Sequence, residues 1–279
     1  MTSSLEMAAP RTFAKYEALG NDFVVIDDAD AANLGPEDAM RLCDRHFGIG
    51  ADGILVLTPP RTADAVARME VLNSDGSRAE MCGNGLRCVV LHLARTRRAR
   101  SGSIVVDTGH GPLTCRFDTD VDGDGGTVVV DMGPVRVAGG RTLDVAGRTF
   151  AFHVADAGNP HAVVFGEFDA ATIATVGPRV ATDASFPGGT NVEFARVAPD
   201  GIDLVVWERG AGLTLACGTG ACATVAVACS LELAKDDVPV RVRLPGGALE
   251  VVRRSADGHA VMTGPARFVF RGELPARPR

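Results

Sequence analysis

The sequence predicts an α/β protein of mixed α+β type, made of two duplicated, pseudo-symmetric halves. Each half is expected to be a strongly bent sheet or barrel around a central helix, with the active site in the cleft between the halves. Three recurring features predict this, and a repeat decides architecture before any single motif does. Cys82-Gly83-Asn84-Gly85 returns as Cys217-Gly218-Thr219-Gly220, 135 positions later. A polar residue stands nine positions before each cysteine, Asn73 in one half and Glu208 in the other. A Gly-Asn pair opens an apolar run near the start of each half, Gly20-Asn21 and Gly158-Asn159, 138 positions apart.

The elements follow in order. Short alternating or β-branched runs at 24–27, 54–57, 68–72, 104–106 and 127–131 read as strands, as do 192–197, 202–206, 238–244 and 268–270. A helix over 36–47 opens at Pro36, whose fixed φ suits the first helical position. Helical patterns follow each Cys-Gly-x-Gly, at 86–95 and 221–233. One long apolar helix per half is best buried centrally. The Gly- and Asp-rich segment 120–126 reads as the linker between units. The units are then 1–122 with 264–279, carrying Cys82, and 123–263, carrying Cys217. The first ten residues, rich in Ser and Ala, read as a loose extension.

Composition narrows the function classes. With 46% hydrophobic and 23% charged residues the chain has the profile of a soluble globular protein. A net charge of -7 gives no support to a nucleic-acid or membrane-surface role. The basic run 95–100 closes a helical pattern, where the macrodipole favours cations. No basic segment followed by an apolar stretch marks a signal peptide, and 221–233 is too short to span a bilayer. Seven cysteines, an odd number set mostly among small or apolar residues, point to free thiols in a reducing cytoplasm.

Cys82 and Cys217 carry the chemistry. Each sits before a glycine-rich helix start, so it occupies or adjoins an N-cap whose unpaired amides are partly positive. A thiol there is expected to have its pKa lowered from ~8.5 toward neutrality. The amides of Gly83, Asn84, Gly218 and Thr219 can approach an anion closely. Two such helix ends would hold one carboxylate with a thiol on either side. That arrangement draws a proton from one face of an α-carbon and returns one to the other, stabilising the enolate-like intermediate electrostatically without a pyridoxal or other cofactor. Cys43, Cys88, Cys115, Cys222 and Cys229 read as small buried hydrophobes. No metal site is expected: Cys217 and Cys222, five positions apart on a helix, point roughly 140° away from each other. The 218–223 run also satisfies a dinucleotide-binding G-x-G-x-x-A pattern, but the acidic Asp236 and Asp237 precede a strand where that fingerprint wants an acid at its end.

Eight short stretches, in order, resemble the diaminopimelate epimerase family from about residue 15 to 270. They are Leu19-Gly20-Asn21-Asp22-Phe23, Gly48-Ile49-Gly50-Ala51-Asp52-Gly53, Asn73-Ser74-Asp75-Gly76-Ser77, Met81-Cys82-Gly83-Asn84-Gly85, Gly158-Asn159-Pro160-His161, Thr190-Asn191-Val192, Glu208-Arg209-Gly210 and Ala216-Cys217-Gly218-Thr219-Gly220. The resemblance implies interconversion of LL- and meso-2,6-diaminopimelate, a lysine and peptidoglycan precursor, by Cys82 and Cys217 in a cytoplasmic homodimer. It implies that Asn21, Asn73, Asn159, Asn191, Glu208 and Arg209 hold the substrate, mostly at its distal end. His161 and Glu208 would be polar partners of Cys82 and Cys217 respectively. A zwitterionic distal end suits an adjacent acid and arginine. The chain departs from the family at Tyr16-Glu17-Ala18, where Met-His-Gly is common, and at Gly53, where many members carry glutamine. Other two-thiol racemases acting on proline, hydroxyproline or histidine, a redox-sensing thiol pair, and a non-catalytic amino-acid-binding protein are the rival readings.

Overall fold

The computed structural model describes residues 11–28 and 31–275. The loose extension expected at 1–10 lies outside the described residues. The strands of the first half are β1 (Arg11–Ala18), β2 (Asn21–Ile26), β3 (Gly53–Thr58), β4 (Ala65–Asn73), β5 (Arg78–Ala79), β6 (Ser101–Thr108), β7 (Gly111–Thr119) and β8 (Gly125–Pro134). Those that follow are β9 (Arg136–Val145), β10 (Arg148–Asp156), β11 (Pro160–Phe165), β12 (Asn191–Ala198), β13 (Gly201–Glu208), β14 (Gly212–Thr214), β15 (Val240–Leu244), β16 (Gly247–Arg253) and β17 (His259–Leu274). Four helices interrupt them: α1 (Pro36–Cys43), α2 (Gly83–Thr96), α3 (Ala170–Ala181) and α4 (Gly218–Ser230).

Strand pairing closes two rings. The first runs β1–β2–β3–β4–β6–β7–β8–β17 and returns to β1. The second runs β9–β10–β11–β12–β13–β15–β16–β17, and β17 pairs with the end of β8 just before it continues into β9. Closure leaves the first ring no open edge; in the second, β9 pairs with β10 on one side alone among the described residues. The 16-residue β17 and the β8–β9 run belong to both rings and hold them together.

Each ring encloses the helix headed by its cysteine. α4 is buried without a break over 218–228, and its Gly, Ala, Cys, Thr and Val side chains are small enough for the barrel interior. α2 is buried over 83–92 and includes the whole of Arg87. α1 and α3 lie outside, where they cover β3 and β4 in one half and β12 and β13 in the other, over separate apolar clusters.

Three elements differ from expectation. Residues 120–126 do not link the units; they turn β7 onto β8. The Asp120 N–H donates to the Gly125 carbonyl oxygen (2.8 Å) and the Gly123 N–H to that of Asp120 (3.0 Å). Gly and Asp suit a turn as well as a linker, so composition does not separate the two. α1 stops at Cys43 because the Asp44 carboxylate accepts the N–H groups of His46 and Phe47, both at 2.7 Å. α3 forms despite Gly177 and Pro178, because Ile173, Val176 and Val180 pack inward.

Candidate active site

Cys82 and Cys217 are the N-cap residues of α2 and α4, both in extended conformation. The Gly85 N–H donates to Cys82 Sγ at 3.3 Å, and Cys217 Sγ lies 3.5 Å from the Thr219 hydroxyl. The two helix starts abut. A methyl added to Gly83 would stand 3.7 Å from the Gly218 Cα, and one on Gly218 would stand 3.6 Å from the Gly83 Cα. Met262 of the shared strand β17 packs against both glycines. Side chains at these positions would push the helix ends, and their converging amides, apart.

Asn84 ties the two halves at this junction. Its Nδ2 donates to Asn21 Oδ1 (3.1 Å) and to the Ala216 carbonyl oxygen beside Cys217 (3.0 Å). Asn21 in turn donates to Asp52 Oδ2 at 2.6 Å. Beneath them the buried Arg87 donates to Asn84 Oδ1 (2.9 Å) and to the Pro265 carbonyl oxygen (3.1 Å). No carboxylate bonds the Arg87 guanidinium, and burial lowers its pKa.

Burial outweighs the helix-end effect on both thiols, so the acidification expected at an N-cap is reversed. The surrounding protein pushes Cys82 up to about 11; the Gly85 N–H opposes the rise and the Glu208 carboxylate adds to it. Cys217 is raised well above the ordinary thiol value, first by burial and then by Glu208 and Glu193. Glu208 is itself raised by burial, against the Thr214 hydroxyl that donates to its Oε1 at 2.6 Å. A desolvated thiol with carboxylates nearby keeps its proton.

Behind Cys217 lies a polar cluster that the first half lacks. His161 and Glu193 are both fully buried, with Nδ1 of the ring 2.7 Å from Glu193 Oε1. The other ring nitrogen, Nε2, is 2.8 Å from Asn159 Oδ1. His161 bonds neither thiol, so the pairing with Cys82 implied by the resemblance is not seen. The repeat explains the asymmetry: Val163 faces Glu193 in the β11–β12 pair where Val25 faces Leu55 in β2–β3, and His161 faces Asn191 where Phe23 faces Gly53.

Asn191 and Arg209 meet at the end of the second barrel. Asn191 Nδ2 donates to the Pro160 carbonyl oxygen (3.1 Å), and its Oδ1 accepts the Arg209 N–H (2.9 Å). The Arg209 guanidinium is exposed and donates to the Gly188 carbonyl oxygen (2.8 Å). Asn73, at the end of β4, donates to Ser77 Oγ (2.9 Å) and no hydrogen bond joins it to the other site residues.

The family model described as diaminopimelate epimerase matches residues 13–138 and 153–269, most of both barrels and both N-cap cysteines. A diaminopimelate epimerase from Gloeothece citriformis is 41% identical over 282 residues, covering 93% of this chain and 97% of that protein. One from Heliobacterium modesticaldum is 42% identical, covering 94% and 99%. The chain belongs to the diaminopimelate epimerase family. The same fold occurs in a probable proline racemase from Agrobacterium radiobacter (TM-score 0.75, 17% identity, 95% of this chain and 93% of that one). It also occurs in a hydroxyproline epimerase from Agrobacterium vitis (TM-score 0.74, 16% identity, 98% and 93%).

For a diaminopimelate epimerase family member, this geometry sets the hydrogen-bonded pair Asn84 and Asn21 next to Cys82 along the start of α2. Cys217 lies against the Thr219 hydroxyl, with the Glu208 carboxylate and the Glu193–His161–Asn159 chain close enough for both acids to raise its pKa. Glu193 and Arg87 were missed from the sequence. Glu193 is an acid in an otherwise buried strand at the repeat position of Leu55, and that mismatch was the available signal. Arg87 matches Cys222 at the 135 offset and reads as an ordinary helix-surface residue.

Proposed function

We propose that this chain interconverts LL- and meso-2,6-diaminopimelate by inverting one α-carbon between Cys82 and Cys217, with no cofactor. The observation that carries the reading is the abutment of two cysteine-capped helix starts. There the first-turn amides of Gly83, Asn84, Gly218 and Thr219, which have no i−4 partner within their own helices, would receive the reacting carboxylate with a thiol on each side. One cysteine, as thiolate, takes the α-proton; negative charge moves onto the carboxylate, where the amides and helix dipoles stabilise it. The other, as thiol, delivers its proton to the opposite face. The site ends with the two protonation states exchanged, ready for the reverse reaction.

Asn21, Asn73, Asn159, Asn191 and Arg209 hold the distal carboxylate and ammonium in this reading, and Glu208 serves both the ammonium and Cys217. A small monocarboxylic substrate has no use for that set, which favours a dicarboxylic diamine over proline or hydroxyproline. Free thiols throughout support a reducing cytoplasm, and no helix among the described residues is long and apolar enough to cross a membrane. The working unit is a homodimer. The duplicated units divide within the shared strands, near 131 and 263, where Asp131 faces Val261. Incubating purified protein with LL-diaminopimelate and resolving the stereoisomers tests the activity. Formation of meso product untouched by exhaustive EDTA is expected; no meso product, or loss on EDTA restored by one metal ion, contradicts it.

A further inference from the structure

Two repeat-related asparagines, Asn21 and Asn159, are held in opposite senses. Asn21 is held at both ends, its nitrogen donating to Asp52 and its oxygen accepting from Asn84. Asn159 is held only through its oxygen, by Nε2 of His161. Its Nδ2 makes no hydrogen bond among the described residues, and the residue is half-buried at the start of β11. An amide oxygen only accepts, so Nε2 must carry a hydrogen for this contact to form. The 2.7 Å contact between Nδ1 and Glu193 Oε1 requires one more proton between them. Whether that proton sits on the ring or on the carboxyl, Nε2 keeps its own.

We propose that Glu193 is a positioning residue for substrate: by occupying Nδ1 it fixes the hydrogen of His161 on Nε2, and so turns the Asn159 amide with its oxygen inward and its two N–H donors free. The group suited to accept from those donors is a carboxylate. The inference rests on the reading of Asn159 as a substrate residue and adds the device that sets its polarity. The surroundings fit. Glu193 is fully buried, and its second oxygen has no hydrogen-bond partner. Burial raises its pKa, against the stabilising contact with His161. The geometry places a hydrogen on Nε2 whichever partner holds the shared proton, because the Asn159 oxygen can only accept. Gly220 of α4 is the facing position, where a methyl would stand 3.0 Å from Glu193 Oε1. In the first barrel the equivalent pair is Phe23 and Leu55, which offers no tautomer to fix, and there Asp52 orients Asn21 instead.

The test is a double-mutant cycle with a spectroscopic arm. In Glu193→Gln the side-chain amide can donate to Nδ1 or accept from it, so His161 can adopt either tautomer and Asn159 either orientation. We expect KM for diaminopimelate to rise about tenfold, the order of one lost charge-assisted hydrogen bond, with a smaller change in kcat. Asn159→Ala should raise KM by a similar factor, and adding Glu193→Gln to it should raise KM no further. Fully additive effects would overturn the proposal, because a merely structural role adds independently of Asn159. If Asn159→Ala alone leaves KM unchanged, the reading beneath the proposal fails instead. In ¹⁵N-histidine-labelled wild-type protein, His161 should show a protonated Nε2 whatever the activity. A bare Nε2 would overturn the proposal even if the Glu193 variants do not fold.

Discussion

Arg209 and the two cysteines show how far single residues carry the account. The guanidinium of Arg209 is exposed and, among the described residues, bonds only the Gly188 carbonyl oxygen, so a substitution there leaves the core untouched. Arg209→Lys is expected to raise KM by about tenfold or more, because an ammonium cannot reproduce a bidentate carboxylate pair. Thermal melting should be unchanged, and an unaltered KM would show that the distal carboxylate is held elsewhere. The thiols supply a pH dependence. With Cys82 pushed up to about 11, its thiolate is the minor form near neutrality. More thiolate forms as pH rises, so kcat/KM should climb between about pH 7 and 9. A profile flat from pH 7 would mean that the base is already ionised in the free protein. The residues themselves were visible in the sequence, because Cys-Gly-x-Gly occurs twice at one offset. Their ionisation was not, since an N-cap lowers a thiol pKa only where water or a counter-charge offsets desolvation, and the sequence does not report burial.

Among the elements, α2 and α4 were legible as helices that start at a cysteine, yet their first turns were not. Expected starts at 86 and 221 fall three residues late because Gly83 to Gly85 and Gly218 to Gly220 carry little helix propensity and are fixed by packing. α3 was hidden by Pro178. β9 was hidden by a polar, largely exposed face that shows no clean alternation. The closeness of the helix starts gives an element-level prediction. A methyl at Gly220 would meet Glu193 Oε1 at 3.0 Å and Cys217 Sγ at 3.3 Å. In a solvent-exposed helix Gly→Ala stabilises by up to about 1 kcal/mol. Here Gly220→Ala should lower kcat at least tenfold with little gain in Tm, since the thiol it displaces must reach a reacting carbon. Unchanged kcat would show that the start of α4 is not a fixed part of the site.

For the whole molecule, duplication was the legible feature and the crossing between barrels was not. The sequence offers a break only in the glycine-rich segment 120–126, and the strands β8 and β17 shared by both rings carry no composition signal. The buried thiols extend over both barrels, with Cys115 and Cys222 pushed up to about 12 by burial. Their folded pKa values lie above the unfolded 9.0. Stability is therefore fully present below that value and falls as pH rises toward about 12. At about pH 10 each such thiol should cost on the order of 1 kcal/mol. Cys115→Ala should narrow the Tm difference between pH 7 and pH 10; an unchanged difference would contradict the linkage. The duplication also gives the mechanism its two faces, so one measurement bears on the central claim most directly. In this mechanism each face of the planar α-carbon is served by its own thiol, and in D₂O the proton removed stays on the thiol that removed it. Early meso product formed from LL-diaminopimelate should carry deuterium at the inverted carbon while recovered substrate stays largely protiated, and the same should hold in reverse. If early turnover labels substrate and product equally, a single base serves both faces, and the assignment of Cys82 and Cys217 to opposite sides of the α-carbon is wrong.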